Sequence, residues 1–150
     1  MADRTIEDIS ESMREIDFCM LTTKGEGGAV AARPMSNNCQ VDYDGDSFFF
    51  SCNDTHKVRQ IEADPEVGLA FQGKQGMLGK PGIFIAVAGR AELIRDKAAF
   101  EEHWTKDLDR WFEQGVDTPG LTLIRVRAEK LHYWDGGDEG VLRLGGAKRK

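Results

Sequence analysis

The sequence predicts a mainly β fold of the α+β class: a six-stranded antiparallel barrel with short peripheral helices. Three observations support this fold. Apolar extended runs recur at short intervals, turn residues separate them, and the connecting helical segments are too few and too short for repeated βαβ units. At 150 residues the chain has the length of one domain. We therefore expect a single domain over 1–150, in which 138–150 forms a loosely ordered tail.

The composition excludes several classes of protein. A net charge of −6 gives no overall basic field for nucleic acid. No apolar run reaches the roughly 18 residues that would cross a membrane, and the polar, acidic N-terminus is unlike a secretory signal. The cysteines, Cys19, Cys39 and Cys52, have no CxxC spacing, which predicts reduced thiols in a cytoplasmic protein.

The first third of the chain predicts a helix followed by two strands. After Thr5, a plausible N-cap, apolar residues recur at spacings of three and four, at Ile6, Ile9, Met13 and Ile16. "DFCMLTT" then predicts a strand, and "AVAARPMSNNCQV" a second one. Pro34 interrupts this second strand and cannot donate to a β-ladder, so it should mark a sheet edge, a bulge or a strand end.

The middle of the chain predicts three more strands around a short helix. "SFFFSC" and "VGLAFQ" are strand-like, and Val58 and Ile61 give the segment between them one apolar helical side. "IFIAVAGRAELI" predicts a fifth strand, which Gly89 could bend.

The last third predicts one helix and one strand. Spacings of four, four and three in "KAAFEEHWTKDLDRWFEQG" predict a helix whose stripe contains Trp104 and Trp111 as packing residues. "GLTLIRVRAEKLHYWDGG" predicts the final strand.

The strand-to-helix junction at Thr55, His56 and Lys57 is a candidate anion site. A helix start offers unpaired N–H groups and a favourable dipole, and lysine adds a mobile positive charge, so phosphate is the natural ligand. The alternative is an ordinary helix start, because Asn53, Asp54 and Thr55 are all good N-cap residues.

Two further residues have the chemistry of ligand contacts. Arg33 can grip a phosphate in bidentate fashion, although a surface arginine on an edge strand is the simpler explanation. Trp134 could cover a flat aromatic ligand, or it could fill the core or contact a second copy of the chain.

Other common sites find no support in the sequence. The three histidines share no metal-ligand spacing, no GxSxG elbow is present, and no GxGxxG opens a helix after a strand. The sequence therefore predicts no metal site, serine hydrolase or Rossmann domain.

Three pieces, taken in order, resemble one known family. "ARPM", "FFFSCNDTHKVRQIEADPEVGLAF" and "VAGRAELI" followed by "YWDGG" resemble the pyridoxamine 5′-phosphate oxidase-like, FMN-binding split-barrel superfamily, and within it the general stress protein 26 branch. The resemblance runs from about Thr5 to Gly137. It implies a split barrel that forms a homodimer with flavin at the interface.

The resemblance also implies the roles of individual residues. Arg33, Thr55, His56 and Lys57 match the residues that hold the FMN phosphate. Other matches are placed beside the flavin ring: Pro34, Met35, Phe50 and Ser51. Trp134 would reach it from the partner chain. FMN is the expected cofactor, with FAD as the alternative and deazaflavin or haem as weaker ones.

The sequence departs from true pyridoxamine-phosphate oxidases at three positions. Gly140 and Leu142 replace an Arg-x-His pair that grips the substrate, and Asn38 replaces a lysine. Without those cations a doubly charged substrate should bind poorly. The expected function is therefore a flavin-dependent oxidoreductase of a small, unidentified molecule. A non-enzymatic protein that sequesters or senses flavin in a stress response is the alternative.

Overall fold

The computed structural model describes residues 4–37 and 42–144. Three α-helices lie within these residues: α1 (Ile6–Met13), α2 (His56–Ala63) and α3 (Lys97–His103). The strands are β1 (Phe18–Lys24), β2 (Val30–Ser36), β3 (Asp46–Cys52), β4 (Glu66–Gln72), β5 (Phe84–Ile94), β6 (Leu121–Asp135) and β7 (Asp138–Arg143). None of these helices is long and apolar enough to cross a membrane. The inferences on Asn38, Cys39 and the end of the tail (145–150) lie outside the described residues.

The strands form one curled antiparallel sheet. Its order is β2-β1-β4-β5-β6-β3, and β7 pairs with the far part of β6. This confirms the predicted six-stranded split barrel, to which β7 adds a short seventh strand. The curl brings β2 and β3, the two ends of the strand order, toward each other on either side of an opening.

Two special residues of the sheet behave as their chemistry requires. Pro34 lies in β2, which pairs within the described residues only with β1, so the missing N–H costs no interior ladder bond. Gly89 marks a register shift between β5 and β6, where a side-chain Cβ would collide with the Arg127 carbonyl. The predicted bend at Gly89 is therefore a β-bulge.

The core has two parts. The larger one fills the barrel and includes Leu21, Phe71 and Leu131, and the helices α1 and α2 cover it with Ile9 and Val58. Thr5 caps α1 as predicted: its Oγ1 accepts from the Asp8 N–H and its own N–H donates to the Asp8 carboxylate, a capping box.

The smaller core part joins residues 95–120 to β3 and β6. Phe50, Phe100, Leu108 and Leu123 are buried there. The connection between β5 and β6 is therefore fixed to the sheet, and it forms one side of the opening between the edge strands.

The long third helix was predicted incorrectly. α3 ends at His103, and Trp104 has extended backbone angles (φ −71°, ψ 133°). Its indole packs edge-on against Phe50, with ring centroids 4.9 Å apart, and donates to the Asp109 carboxylate at 2.9 Å. These contacts outweigh the helical spacing of the sequence, and short 3₁₀ turns at Lys106–Arg110 and Gly115–Asp117 follow.

The prediction of a loose tail from 138 onward was also wrong for its first part. Asp138–Arg143 forms β7, paired with β6 from Asp135↔Asp138 to Lys130↔Arg143. The Gly136-Gly137 pair makes a two-residue hairpin turn, a strong hairpin signal.

Candidate functional site

A cleft of about 440 Å³ lies at the opening between the two edge strands. It is lined from β2 by Pro34, Met35 and Ser36, from β3 by Phe49, Phe50, Ser51 and Cys52, and elsewhere by Phe18, Thr55, Lys57, Leu108, Trp111 and Phe112. Because β2 and β3 each have one side with no paired strand among the described residues, backbone N–H and C=O groups are available along the cleft. Such a site can bind a ring that carries both donors and acceptors.

The cleft brings together six of the nine residues singled out in the sequence. They are Pro34, Met35, Phe50, Ser51, Thr55 and Lys57. They come from two strands and one helix, which only the curl of the sheet brings together. The other three are Arg33, His56 and Trp134, which lie at its margin or elsewhere.

Arg33 is half-buried beside the cleft, and its hydrogen-bond partners within the described residues are neutral. Its guanidinium donates to the Leu21 carbonyl at 3.1 Å, to Thr23 Oγ1 at 2.8 Å and to Gln60 Oε1 at 3.2 Å. Burial lowers the pKa of Arg33, and no carboxylate offsets this effect. These contacts fix the guanidinium in place without neutralising its charge.

Lys57 lies close enough to Arg33 for the two charges to repel each other. Burial is the first cause that lowers the pKa of the Lys57 ammonium, and the positive charge of Arg33 is the second. The Cys52 sulfur acts weakly in the opposite direction. Two half-buried cations thus converge from β2 and α2, an arrangement that an anion would stabilise.

The start of α2 adds backbone donors. Thr55 is the N-cap, but its hydroxyl donates to the Cys52 carbonyl at 3.0 Å and does not cap the helix. The Asn53 amide oxygen accepts from Thr122 Oγ1 and from Arg95 Nε. The ordinary capping explanation therefore finds no support in the contacts of Thr55 and Asn53, and the first-turn N–H groups remain available to a ligand.

His56 does not line the cleft. It is exposed on the first turn of α2, and its Nδ1 lies 3.4 Å from Arg59 Nη2. Its backbone N–H still belongs to the helix start. The side chain is not directed by any described contact toward Arg33 or Lys57.

Trp134 lies on the outer face of the sheet and does not line the cleft of its own chain. It is 38% exposed, and its indole stacks on His132 with ring centroids 3.9 Å apart. His132 Nε2 in turn lies 2.7 Å from the Glu139 carboxylate. The predicted role for Trp134 therefore requires a second copy of the chain.

This outer face carries a group of apolar side chains on neighbouring strands, with the polar residues Ser36, Gln72, His132 and Glu139 among them. Cross-strand neighbours along it include Phe18, Met20, Pro34, Ala70, Phe84, Ala86, Trp134 and Val141. Five of these are large side chains that are 38–52% exposed: Phe18, Met20, Phe84, Trp134 and Val141. Phe18 and Pro34 belong both to this face and to the cleft. The cleft therefore opens onto the apolar face.

Sequence reasoning missed one wall of the cleft. Leu108, Trp111 and Phe112 line it from the segment between α3 and β6. Trp111 was interpreted as a packing residue on a helix, yet it is 55% exposed. An aromatic pair flanked by charges, "DRWFE", does not by itself distinguish a cleft wall from a helical stripe.

The chain matches the model of one protein family over residues 4–149, that of the pyridoxamine 5′-phosphate oxidase-like proteins. The chain belongs to this family. It is 25% identical over 113 residues to general stress protein 26 of Bacillus subtilis, a match that covers 75% of this chain and 79% of that protein. It is 24% identical over 140 residues to protein bli-3 of Neurospora crassa, where 87% of this chain spans only 65% of that longer protein.

Solved structures of the pyridoxamine 5′-phosphate oxidase-like family share the fold. A protein from Clostridium acetobutylicum related to general stress protein 26 superposes with a TM-score of 0.76 at 19% identity, and the match covers 93% of this chain and 94% of that one.

Of the three departures from true pyridoxamine-phosphate oxidases, Gly140 and Leu142 lie within the described residues, and both have structural reasons. A Cβ at Gly140 would collide with the ring and hydroxyl of Tyr133, which is 3% exposed. Leu142 packs against the main core. An arginine and a histidine at these positions would therefore disturb the β6–β7 pair.

Proposed function

We propose that this member of the pyridoxamine 5′-phosphate oxidase-like family binds FMN in the cleft, with the phosphate between Arg33 and Lys57. One observation carries the proposal: a half-buried guanidinium with neutral partners lies beside a half-buried ammonium. Each charge destabilises the other until an anion is present. The phosphate would also accept hydrogen bonds from the first-turn N–H groups of α2, at His56 and Lys57.

The rest of the cleft suits a planar ring. Its walls are largely apolar, and the unpaired edges of β2 and β3 offer backbone groups to ring nitrogens and oxygens. Pro34, Met35 and Ser51 lie along these edges. FMN is the proposed cofactor, and FAD, which presents a phosphate to the same site, is the alternative. None of the three histidines lines the cleft, which argues against haem with histidine ligation.

The proposal includes a homodimer. The apolar outer face would be buried between two copies of the chain, since contiguous exposed apolar surface is typical of interaction sites. Because Phe18 and Pro34 belong to both the face and the cleft, dimer formation would deepen the cleft. Trp134 of each copy would then cover the ring bound by the other, as the family resemblance implies.

The proposed activity is that of a flavin-dependent oxidoreductase acting on a small molecule in the cytoplasm. Bound FMN supplies hydride and electron transfer, and the protein supplies position and electrostatics. Arg33 and Lys57 hold the phosphate, Pro34 and Ser51 orient the ring, and Phe112 excludes water. The residues Gly140 and Leu142 offer no grip on pyridoxamine phosphate, so vitamin B6 oxidation is not part of the proposal.

Two experiments test these points in order. Titration of the purified protein with FMN, followed by flavin fluorescence quenching, should show one site per chain. The holo-protein should then oxidise NADH or NADPH faster than free FMN does. FMN binding without such turnover would favour the alternative function, flavin sequestration or sensing. Absence of binding would reject both.

A further inference from the structure

The loop between β4 and β5 presents two large apolar side chains to solvent. Met77 is 87% exposed and Leu78 is 97% exposed. The loop is nevertheless ordered by its own hydrogen bonds: Gly76 N–H donates to the Lys80 carbonyl at 2.7 Å, and Gln75 Nε2 donates to the Gly79 carbonyl at 3.0 Å. The tip is thus a built turn that holds both side chains outward.

The tip has an unfavourable conformation as well as unfavourable exposure. Leu78 has φ +60° and ψ 27°, the left-handed region that side chains with a Cβ rarely adopt. It is the one residue other than glycine with positive φ among those described. An exposed leucine in a strained turn is poorly explained by the folded chain alone.

The position of the loop directs it toward the proposed dimer partner. Phe84 immediately follows the loop, lies on the apolar outer face and is the cross-strand neighbour of Trp134. In the proposed dimer, Trp134 enters the cleft of the second copy. Because the loop joins β5 at Phe84, beside Trp134, the same dimer would bring the loop to the side of that cleft.

The rim carries a surface that matches the tip in polarity and charge. Trp111 is 55% exposed there. The loop over 73–83 contains two lysines, Lys74 and Lys80, and no acidic residue. The rim segment over 106–117 contains four carboxylates against two cations: Asp107, Asp109, Glu113 and Asp117 against Lys106 and Arg110. The loop is therefore positive and the rim negative.

We propose that the tip of each chain, Met77 and Leu78, packs against Trp111 of a second copy and closes the outer side of its cleft. Lys74 and Lys80 face the carboxylates of that rim. The inference rests on the proposed dimer and adds to it a covering element for the cofactor cleft. The occupant of the Trp111 surface is a second copy of this chain.

Disulfide trapping tests the contact without any use of activity. In the full-length chain, Leu78→Cys combined with Trp111→Cys should give a covalent dimer on mild oxidation, seen by non-reducing electrophoresis and lost on reduction. Each single variant, and Leu78→Cys paired with Glu102→Cys on the exposed side of α3, should give much less. Cβ atoms must approach within about 4.5 Å to form the bond, so the product reports a close contact.

A second readout concerns retention of FMN. Met77→Ser with Leu78→Ser should leave the dimer intact but release FMN roughly tenfold faster, since the cover is lost. Lys74→Glu with Lys80→Glu should do the same, and Asp107→Lys with Glu113→Lys in the same chain should restore retention. If Lys74 and Lys80 acted only within their own loop, exchanging the charges of loop and rim would not restore FMN retention.

The outcomes separate this inference from the proposed function. A wild-type dimer that binds FMN but gives no Leu78–Trp111 disulfide overturns the covering role alone. A monomeric wild-type protein overturns both the dimer and the cover. A third outcome would assign the tip to a lipid surface and overturn the inference. In that case the wild type binds anionic phosphatidylserine vesicles, Met77→Ser with Leu78→Ser abolishes this binding, and no Leu78–Trp111 disulfide forms.

Discussion

Arg33 and Lys57 lie side by side although they share a charge and come from different elements. Burial and, next, the positive charge of Arg33 lower the pKa of Lys57. Arg33 is held by the Leu21 carbonyl, Thr23 and Gln60, so it cannot move away without losing its hydrogen bonds. The protein maintains an unfavourable pair of cations at the end of the cleft, and an anion bound by both, as proposed above, would account for the arrangement.

Removal of the positive charges of both Arg33 and Lys57 should weaken FMN binding strongly. Arg33→Met with Lys57→Met should cost about 2–5 kcal/mol of binding free energy, since each cation makes a charge-assisted contact with phosphate. That corresponds to a dissociation constant raised ~30-fold or more. Flavin fluorescence titration measures it.

The matched control removes two cations elsewhere. Arg14→Met with Lys97→Met produces the same change in net charge on exposed side chains paired with Asp42 and Asp117. FMN affinity should then change less than about threefold at 0.15 M salt, because distant surface charges are screened. An equal loss in both double variants would show that net charge, and not a phosphate clamp, governs binding.

The single variant Lys57→Met should stabilise the protein without ligand. The folded-state pKa of Lys57 lies below its ordinary value of 10.5, so the charged form destabilises the fold at neutral pH. In the window between the lowered value and 10.5 the unfolded chain binds more protons, and wild-type stability therefore rises with pH. Lys57→Met should lack this rise and should gain about 0.5 kcal/mol at pH 7.

Urea unfolding at pH 7 and at pH 10 measures both effects. Lys24→Met is the control, because ion pairs with Glu66 and Asp64 raise the pKa of Lys24. Its removal should not increase stability at either pH. A destabilised Lys57→Met protein at pH 7 would mean that Lys57 already has a favourable partner in the absence of ligand.

Much of the fold was predictable because local chemistry and tertiary structure agree. Thr5 caps a helix whose apolar stripe is real, and Pro34 lies on an edge strand, where its missing N–H has no cost. Gly89 bends β5 because the opposing carbonyl leaves no room for a Cβ. At these positions the short-range pattern and the final packing favour the same conformation.

The errors arise where long-range contacts override the local pattern. Trp104 and Trp111 have helical spacing, but the packing of Trp104 on Phe50 ends α3 at His103, eight residues before Trp111. That partner lies more than fifty residues away and no local signal reveals it. The same holds for the cleft, because the meeting of β2 and β3 depends on the curl of the whole sheet.

Gly89→Ala should destabilise the protein strongly. The new methyl group would collide with the Arg127 carbonyl, which belongs to a paired strand and cannot move alone. We expect a loss of about 2–4 kcal/mol in the free energy of unfolding. Gly137→Ala is the control, since nothing lies within 4 Å of a Cβ at that position. Thermal unfolding measures the stability of both variants. A similar loss of stability in Gly89→Ala and Gly137→Ala would contradict the bulge argument.

A charge at the centre of the apolar outer face should dissociate the proposed dimer. Ala70 is exposed between its cross-strand neighbours Met20 and Ala86. Ala70→Glu would bury an unpaired carboxylate in the proposed interface, at a cost of about 3 kcal/mol or ~100-fold in dimer affinity. Ala63→Glu, on an exposed position of α2, makes the same change outside the face.

Analytical ultracentrifugation distinguishes the outcomes. Wild type and Ala63→Glu should sediment as dimers, whereas Ala70→Glu should dissociate at micromolar concentration and lose FMN affinity with it. Circular dichroism should show the same secondary structure in all three. A stable Ala70→Glu dimer would place the interface elsewhere on the molecule.

The reactivity of two cysteines should report occupancy of the cleft. Cys52 is half-buried and lines the cleft, whereas Cys19 is 2% exposed and burial raises its pKa to about 12. Only a thiolate reacts with a disulfide reagent, so in a Cys39→Ser chain at pH 8 Cys52 should react at least ~100-fold faster than Cys19. Cys52→Ser should remove the fast phase.

FMN should protect Cys52, because the proposed ligand covers the same wall. With FMN at 100 times its dissociation constant, the free cleft is about 1% of the population, so the fast phase should slow by ~100-fold. Riboflavin, which lacks the phosphate, provides the comparison: it should protect much less at equal concentration, since Arg33 and Lys57 have nothing to bind. Equal protection by both compounds would mean that the ring binds in the cleft without help from Arg33 and Lys57. Unchanged reactivity of Cys52 with FMN present would place the flavin outside this cleft.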